Sequence, residues 1–188
     1  MVSNMELEET IKKRKSIRKF KDTDVSDKLV EDLIKCARLA PSAKNRQPWK
    51  FIIVKNNTKN QITDIMSEKL ENDKINTEKE KFNSTVKETI RIIKESPILI
   101  LVFKPCDYDW MIVDTLSIGA AIENICLRAT DLGLGSLIIG DIFSSREEIA
   151  KLVEHEDMEL ISAISIGYPD ENPQRKLRKN LNEILEWK

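Results

Sequence analysis

The chain has 188 residues, with 31 lysines and arginines against 32 aspartates and glutamates, a net charge of −1 and 40% hydrophobic residues. That length supports one sizeable core, so residues 1–188 read as a single domain, and the near-neutral balance offers no field for nucleic acid or an anionic membrane. No apolar run approaches the roughly 20 residues that span a bilayer. The start, MVSNMELEETIKKRK, is acidic before it is basic and lacks the apolar stretch of a signal peptide. Cys36, Cys106 and Cys126 are an odd number without close spacing; Cys36 and Cys126 fall among apolar helical residues and read as buried, reduced thiols of a cytoplasmic protein. His155 is the single histidine, in VEHEDME. Without HExxH, CxxC or a GxSxG elbow it predicts neither a metal site nor a nucleophilic triad. Any redox chemistry therefore calls for a cofactor.

Residues 5–14 read as a short helix leading into RKSIRKF. Ser26 caps a second helix in which Leu29, Val30, Leu33, Ile34 and Ala37 recur at helical spacing, and Pro41 stops it. WKFIIV, residues 49–54, predicts a strand buried on both faces. Residues 56–96 are highly charged and free of glycine. Their weak apolar periodicity (Ile62, Ile65, Met66; then Val86, Ile90, Ile93) predicts two exposed helices forming a lid. PILILVF opens a second strand at Pro97. Residues 114–132 carry the strongest helical pattern, apolar on more than one side, and predict a central helix ended by Gly133 and Gly135. SLIIG, residues 136–140, is a third strand. Ser145 and Glu148 have capping-box spacing for a helix through Val153. Residues 159–169 form a fourth strand, and 170–188 read as an arm with two amphipathic turns at most. The result is a mixed sheet covered by helices, in the α+β class.

Three stretches carry chemistry that one ligand could use. In RKSIRKF, Arg14, Ser16 and Arg18 alternate and project to one side of an extended segment, two guanidinium forks flanking a hydroxyl as a phosphate monoester requires. Taken alone, they also read as solvated charges near a helix end. In PSAKNRQPW, Ser42, Asn45 and Gln47 offer donors and acceptors suited to a planar heterocycle, or an Asx-type turn satisfied by its own backbone. In DLGLGSLIIGD, Gly140 at a strand end would let a ring approach the backbone, though helix termination before a core strand explains the other glycines. RKLRK near the C-terminus adds Lys176 and Arg178 as a further phosphate clamp.

In this order, RKSIRKF, ARLAPSAKNRQPWKFIIV, DLGLGSLIIG and ISIGYPDE with RKLRKNLNEIL resemble the nitroreductase family of FMN-dependent oxidoreductases, from about residue 10 to the C-terminus. The resemblance implies a central, mostly antiparallel sheet and an obligate homodimer with FMN at its interface. It also implies a C-terminal arm crossing to the neighbouring subunit. It places Arg14, Ser16 and Arg18 on the flavin phosphate and ribityl or ring edge, with Lys15 contributing backbone and Lys176 and Arg178 closing over the phosphate. Pro41, Ser42 and Asn45, with Gln47 nearby, would reach the neighbour's flavin, Ile139 would pack on the ring and the Gly140 N–H would face N5. The implied activity is ping-pong hydride transfer from NAD(P)H to a nitroaromatic, quinone or flavin. FMN carries the chemistry and no side chain is required as acid or base. A redox sensor or carrier without efficient turnover is the alternative. Lys44 and Arg46 depart from the family pattern and predict a cationic pocket mouth favouring acidic substrates.

Overall fold

A computed structural model describes residues 6–72 and 80–188. Alternation along residues 98–103 organises the molecule. Ile98, Ile100 and Val102 face one side, Leu99, Leu101 and Phe103 the other, and all six are buried. A strand buried on both faces needs neighbours on both edges and helices above and below. Accordingly β2 (Ile98–Pro105) lies between β1 (Lys50–Val54) and β4 (Met158–Gly167), with β3 (Gly135–Ile139) beyond β4, and every pair is antiparallel.

Two helical layers cover this sheet. On the side of Ile98, Ile100 and Val102 lie α2 (Asp27–Ala37) and α5 (Met111–Asp131), which bury Val30, Leu33, Ile118, Ile125 and Ala129. On the other side lie α3 (Asn56–Asn72), α4 (Glu80–Glu95) and α6 (Arg146–Leu152), bringing Ile62, Met66, Ile92, Ile93 and Ile149 against Leu99, Leu101 and Phe103. Each such aliphatic side chain contributes about 1.5–3 kcal/mol on burial. The short α1 (Leu7–Lys13) precedes the sheet-bound segment described below. The α+β class and the central position of α5 agree with the sequence pattern; the sheet is antiparallel throughout, as the family resemblance implies, and not the mixed sheet read from the pattern.

Several expectations need correction. The strand at 49–54 is not buried on both faces: among the described residues β1 is an edge strand paired with β2, Phe51 and Ile52 are half-buried and Ile53 is 38% exposed. The two helices of 56–96 are present, but they form a core layer instead of lying exposed. A narrow apolar stripe among many charges suffices to seat a helix when the sheet beneath supplies the rest of the contact area. Residues 73–79 of that stretch lie outside the described residues. Ser145 precedes α6, but its hydroxyl makes no capping bond and is buried without a partner among the described residues, so no capping box forms there. Ser26 does cap α2, accepting from the Leu29 N–H at 3.4 Å. Cys126 is buried, whereas Cys36 is only half-buried and Cys106 is exposed. His155 lies in the turn after α6, its Nδ1 2.8 Å from the Val153 carbonyl oxygen and its ring 5.9 Å from that of Phe103. The arm from 170 onward holds one turn of helix, Leu181–Glu183.

Candidate functional site

Residues 14–20 lie extended across the end of the sheet. Ser16 pairs with Ser136 of β3 and Phe20 with Pro169, the Ile17 N–H donates to the Ser136 carbonyl at 3.0 Å and the Lys21 N–H to the Tyr168 carbonyl at 2.8 Å. Ile17 and Phe20 turn inward and are buried. Around Ile17 the side chains alternate, so Arg14, Ser16 and Arg18 go the other way, and the alternation breaks before Phe20. Together with Lys15 they line a cavity of about 250 Å³ completed by Pro173, Gln174, Arg175, Lys176 and Arg178 of the arm. Bonds that fasten the arm there include Lys15 Nζ to Asn172 Oδ1 at 2.9 Å, the Arg18 N–H to Glu171 Oε1 at 2.5 Å, the Asp170 N–H to the Lys19 carbonyl at 2.9 Å and Arg175 to the Lys12 carbonyl at 3.0 Å.

The charge in this cavity is one-sided. Arg14, Lys15, Arg18, Arg175, Lys176 and Arg178 line it and no carboxylate does, among the described residues. The Arg14 guanidinium has a carboxylate partner outside, Glu123 at 3.3 Å, and Glu171 meets the backbone N–H of Arg18. Like charges gathered around one space repel, and an anion with several acceptor oxygens relieves that repulsion through forked, charge-assisted hydrogen bonds.

Arg18 also lines a second cavity, of about 410 Å³, bounded by Leu137, Ile138, Ile139, Gly140 and Asp141 at the end of β3 and by Ser84, Thr85, Glu88, Thr89 and Ile92 of α4. Among the described residues, no atom beyond Gly140 and its chain neighbours lies within 4 Å of where a Cβ on Gly140 would sit, so the backbone there faces open space. Ile139 is 3% exposed and belongs to the core, whereas Ile138 is 45% exposed and presents the accessible apolar surface. Thr89 Oγ1 donates to Asp141 Oδ2 at 2.8 Å. Arg91 holds the Glu88 carboxylate below the usual range and its Nη2 reaches the Arg18 carbonyl oxygen at 3.4 Å, tying α4 to the segment that carries the cations. The α4 residues and Asp141 escaped sequence reading. The one local signal was the i,i+3 spacing of Glu88 and Arg91, which is common on solvated helices.

The 41–48 loop lines neither cavity. It is closed on itself and on α5: Ser42 Oγ accepts from the Gln47 N–H at 3.0 Å and Ser117 Oγ from the Ala43 N–H at 3.4 Å. Arg46 donates to both oxygens of Asp114, at 3.2 and 3.3 Å, and to Asp107 at 3.1 Å, while its guanidinium lies 4.2 Å from the centre of the Trp110 ring. These carboxylates, Asp114 foremost, hold the Arg46 pKa above its ordinary value. Arg46 is thus neutralised by its own chain and does not supply the cationic mouth predicted for it. Pro48 is buried, and Pro41, Asn45 and Gln47 are exposed. The structure therefore brings Arg14, Lys15, Ser16, Arg18, Lys176 and Arg178 together, with Ile139 and Gly140 adjoining through Arg18. Pro41, Ser42, Asn45 and Gln47 stand apart. On α5, Ile112 and Leu116 are about 70% exposed, and Leu177 and Trp187 of the arm are almost fully so, more apolar surface than a lone soluble chain commonly shows. No helix among the described residues is long and apolar enough to cross a membrane.

The model of the nitroreductase family matches residues 11–168. A provisionally named NADH dehydrogenase/NAD(P)H nitroreductase of Methanothermobacter thermautotrophicus is 32% identical over 184 residues, covering 92% of this chain and 82% of that protein. An iodotyrosine deiodinase of Thermotoga neapolitana is 33% identical over 180 residues, covering 90% and 91%. Among solved structures, a BluB-like flavoprotein from Clostridium difficile 630 superposes with a TM-score of 0.87 at 31% identity, covering 97% of this chain and 99% of that one.

Proposed function

Because the chain belongs to the nitroreductase family, we propose that it is an FMN-dependent oxidoreductase that moves hydride from NAD(P)H to an organic acceptor in ping-pong order. The working unit is a homodimer with the cofactor at its interface. The observation that carries this reading is the carboxylate-free ring of cations around the 250 Å³ cavity, joined through Arg18 to a space beneath Gly140 that no Cβ obstructs. The first space suits a phosphate and the second a planar ring, at the two ends of one ligand.

When bound, FMN supplies the hydride chemistry. Arg14, Ser16, Arg18, Lys176 and Arg178 hold the phosphate, and Lys15 braces the arm that closes over it. The Gly140 N–H serves as a donor at the ring edge, and Ile138 and Ile139 form the apolar wall beside it. Pro41, Ser42, Asn45 and Gln47 reach the flavin held by the neighbouring copy, which explains a polar loop that faces neither cavity of its own chain. The exposed apolar surface of α5 and the arm is the surface such a dimer covers.

The acceptor is a nitroaromatic, a quinone or a free flavin. A reductive dehalogenation stands as the second reading, favoured by the similarity to a deiodinase over nine-tenths of both chains. Anaerobic addition of NADPH or NADH to the purified protein, followed by candidate acceptors, tests the proposal. Visible flavin absorbance that bleaches with a nucleotide and returns with p-nitrophenol, menadione or an iodophenol supports the enzyme and selects its acceptor. Bleaching with dithionite alone makes the protein a carrier or sensor. A colourless protein that takes up no FMN overturns the reading.

A further inference from the structure

Three of the four residues from Lys44 to Gln47 have positive φ: Lys44 at 50°, Asn45 at 56° and Gln47 at 48°. Asparagine tolerates this region, but lysine and glutamine rarely adopt it without support from their surroundings. The fourth residue, Arg46, provides the support. Its side chain runs inward to Asp114, which is 1% exposed, and passes over the Trp110 ring. Asp114 in turn sits in the first turn of α5, a helix locked in the core by Ile118, Ile125 and Ala129.

We infer that Asp114 is a positioning residue: through Arg46 it fixes the 41–48 loop in its left-handed shape, so that Asn45 and Gln47 are presented outward before any flavin arrives. This rests on the functional reading above, in which that loop contacts the neighbour's ring. The inference adds how the loop is held and which residue holds it. A loop already shaped loses little freedom on binding, so the benefit appears as affinity for FMN. Trp110 contributes a flat face and Asp107 a second, more exposed carboxylate; both assist, while the buried Asp114 sets the direction of Arg46.

The experiment compares Asp114→Asn with Asp32→Asn. Asp32 pairs with Arg128, joining α2 to the far end of α5, so its loss removes an Arg–Asp pair away from the loop, more exposed than that of Asp114 and leaving Arg128 its second partner Asp131. Trypsin cleavage at the Lys44–Asn45 bond of the apoprotein reads loop order without any cofactor, and FMN titration of the same samples reads binding. Asp114→Asn is expected to speed that cleavage severalfold and raise the FMN dissociation constant about tenfold, with Asp32→Asn changing neither. Trp110→Leu, which leaves the buried carboxylate paired, is expected to shift both readouts in the same direction by less and serves if Asp114→Asn does not fold. Equal effects of the two aspartate variants would reduce Asp114 to a general stabiliser and overturn the inference. So would faster cleavage with unchanged FMN affinity. Wild-type protein that binds no FMN at all overturns the functional reading instead, and this one with it.

Discussion

Gly135 and Ile17 pack so closely that a Cβ on the glycine would lie 2.8 Å from the Cβ of the isoleucine. The contact presses the cation-bearing segment onto the end of β3, where the Ile17 N–H meets the Ser136 carbonyl. An alanine at 135 cannot be accommodated by rotating a flexible side chain, because Ile17 is branched at the atom it would strike. Gly135→Ala is therefore expected to cost about 1–3 kcal/mol in urea unfolding and to loosen FMN binding by displacing Ser16 and Arg18. Unchanged stability would mean that the segment shifts freely and that this contact does not place the site.

The phosphate assignment predicts a difference between ligands. FMN and riboflavin differ only in the phosphate, so the cation cavity is expected to favour FMN strongly in the wild type. Arg18→Ala should narrow that preference by about 1.5–3 kcal/mol, the range for hydrogen bonds to charged groups. Arg14→Ala should narrow it less, since Arg14 also faces Glu123. Parallel titrations followed by flavin fluorescence measure both. Equal losses for FMN and riboflavin would move the phosphate away from this cavity.

Much of this site was legible in the sequence, for identifiable reasons. The alternation of Arg14, Ser16 and Arg18 against Ile17 is a period-two signal, and the sheet enforced it. The β2 run, apolar at every position from Ile98 to Phe103, read as a buried strand for a different reason: a strand covered on both faces needs no polar side. The edge position of β1 was not legible, because a short apolar run reads alike whether one or both sides are covered. The helices of 56–96 misled in the opposite direction: charges outnumber the apolar stripe, but Ile62, Met66, Ile92 and Ile93 suffice to seat both helices. The role of Arg46 was out of reach, since its partner Asp114 is distant in sequence and a cation in a polar loop reads as exposed. Ile139 came from the family resemblance alone; both it and Ile138 line the second cavity, with Ile138 the more exposed of the two.

The arm predicts assembly. Leu181, Ile184, Leu185 and Trp187 are 67%, 68%, 42% and 87% exposed on a single chain. Deleting residues 180–188 spares Lys176 and Arg178 but removes this surface. Light scattering behind size exclusion is expected to show a dimer for the full chain and a monomer or a weak dimer for the truncation. A truncation as dimeric as the full chain would assign the interface to Ile112 and Leu116 on α5 alone.

Cys126 gives a pH prediction that does not involve the cofactor. Its side chain is 1% exposed, beneath β3, and burial pushes the thiol up to about 11 from an ordinary 9.0. Between those two values the unfolded chain sheds this proton while the folded chain keeps it, so unfolding is favoured as pH rises. The stability this thiol contributes is fully present below pH 9 and is lost as pH climbs through about 11, amounting to roughly 2–3 kcal/mol. Other groups titrate in the same range, but they cancel when wild type is compared with Cys126→Ala. The alanine variant is less stable at pH 8, because a buried contact is gone, and its deficit should shrink steadily toward pH 11 in urea unfolding. The exposed Cys106 should meanwhile react rapidly with Ellman's reagent in the native protein, and Cys126 only after denaturation. A deficit that stays constant with pH would show that the Cys126 thiol ionises as readily in the folded chain as in the unfolded one, and that β3 and α5 admit water at this point.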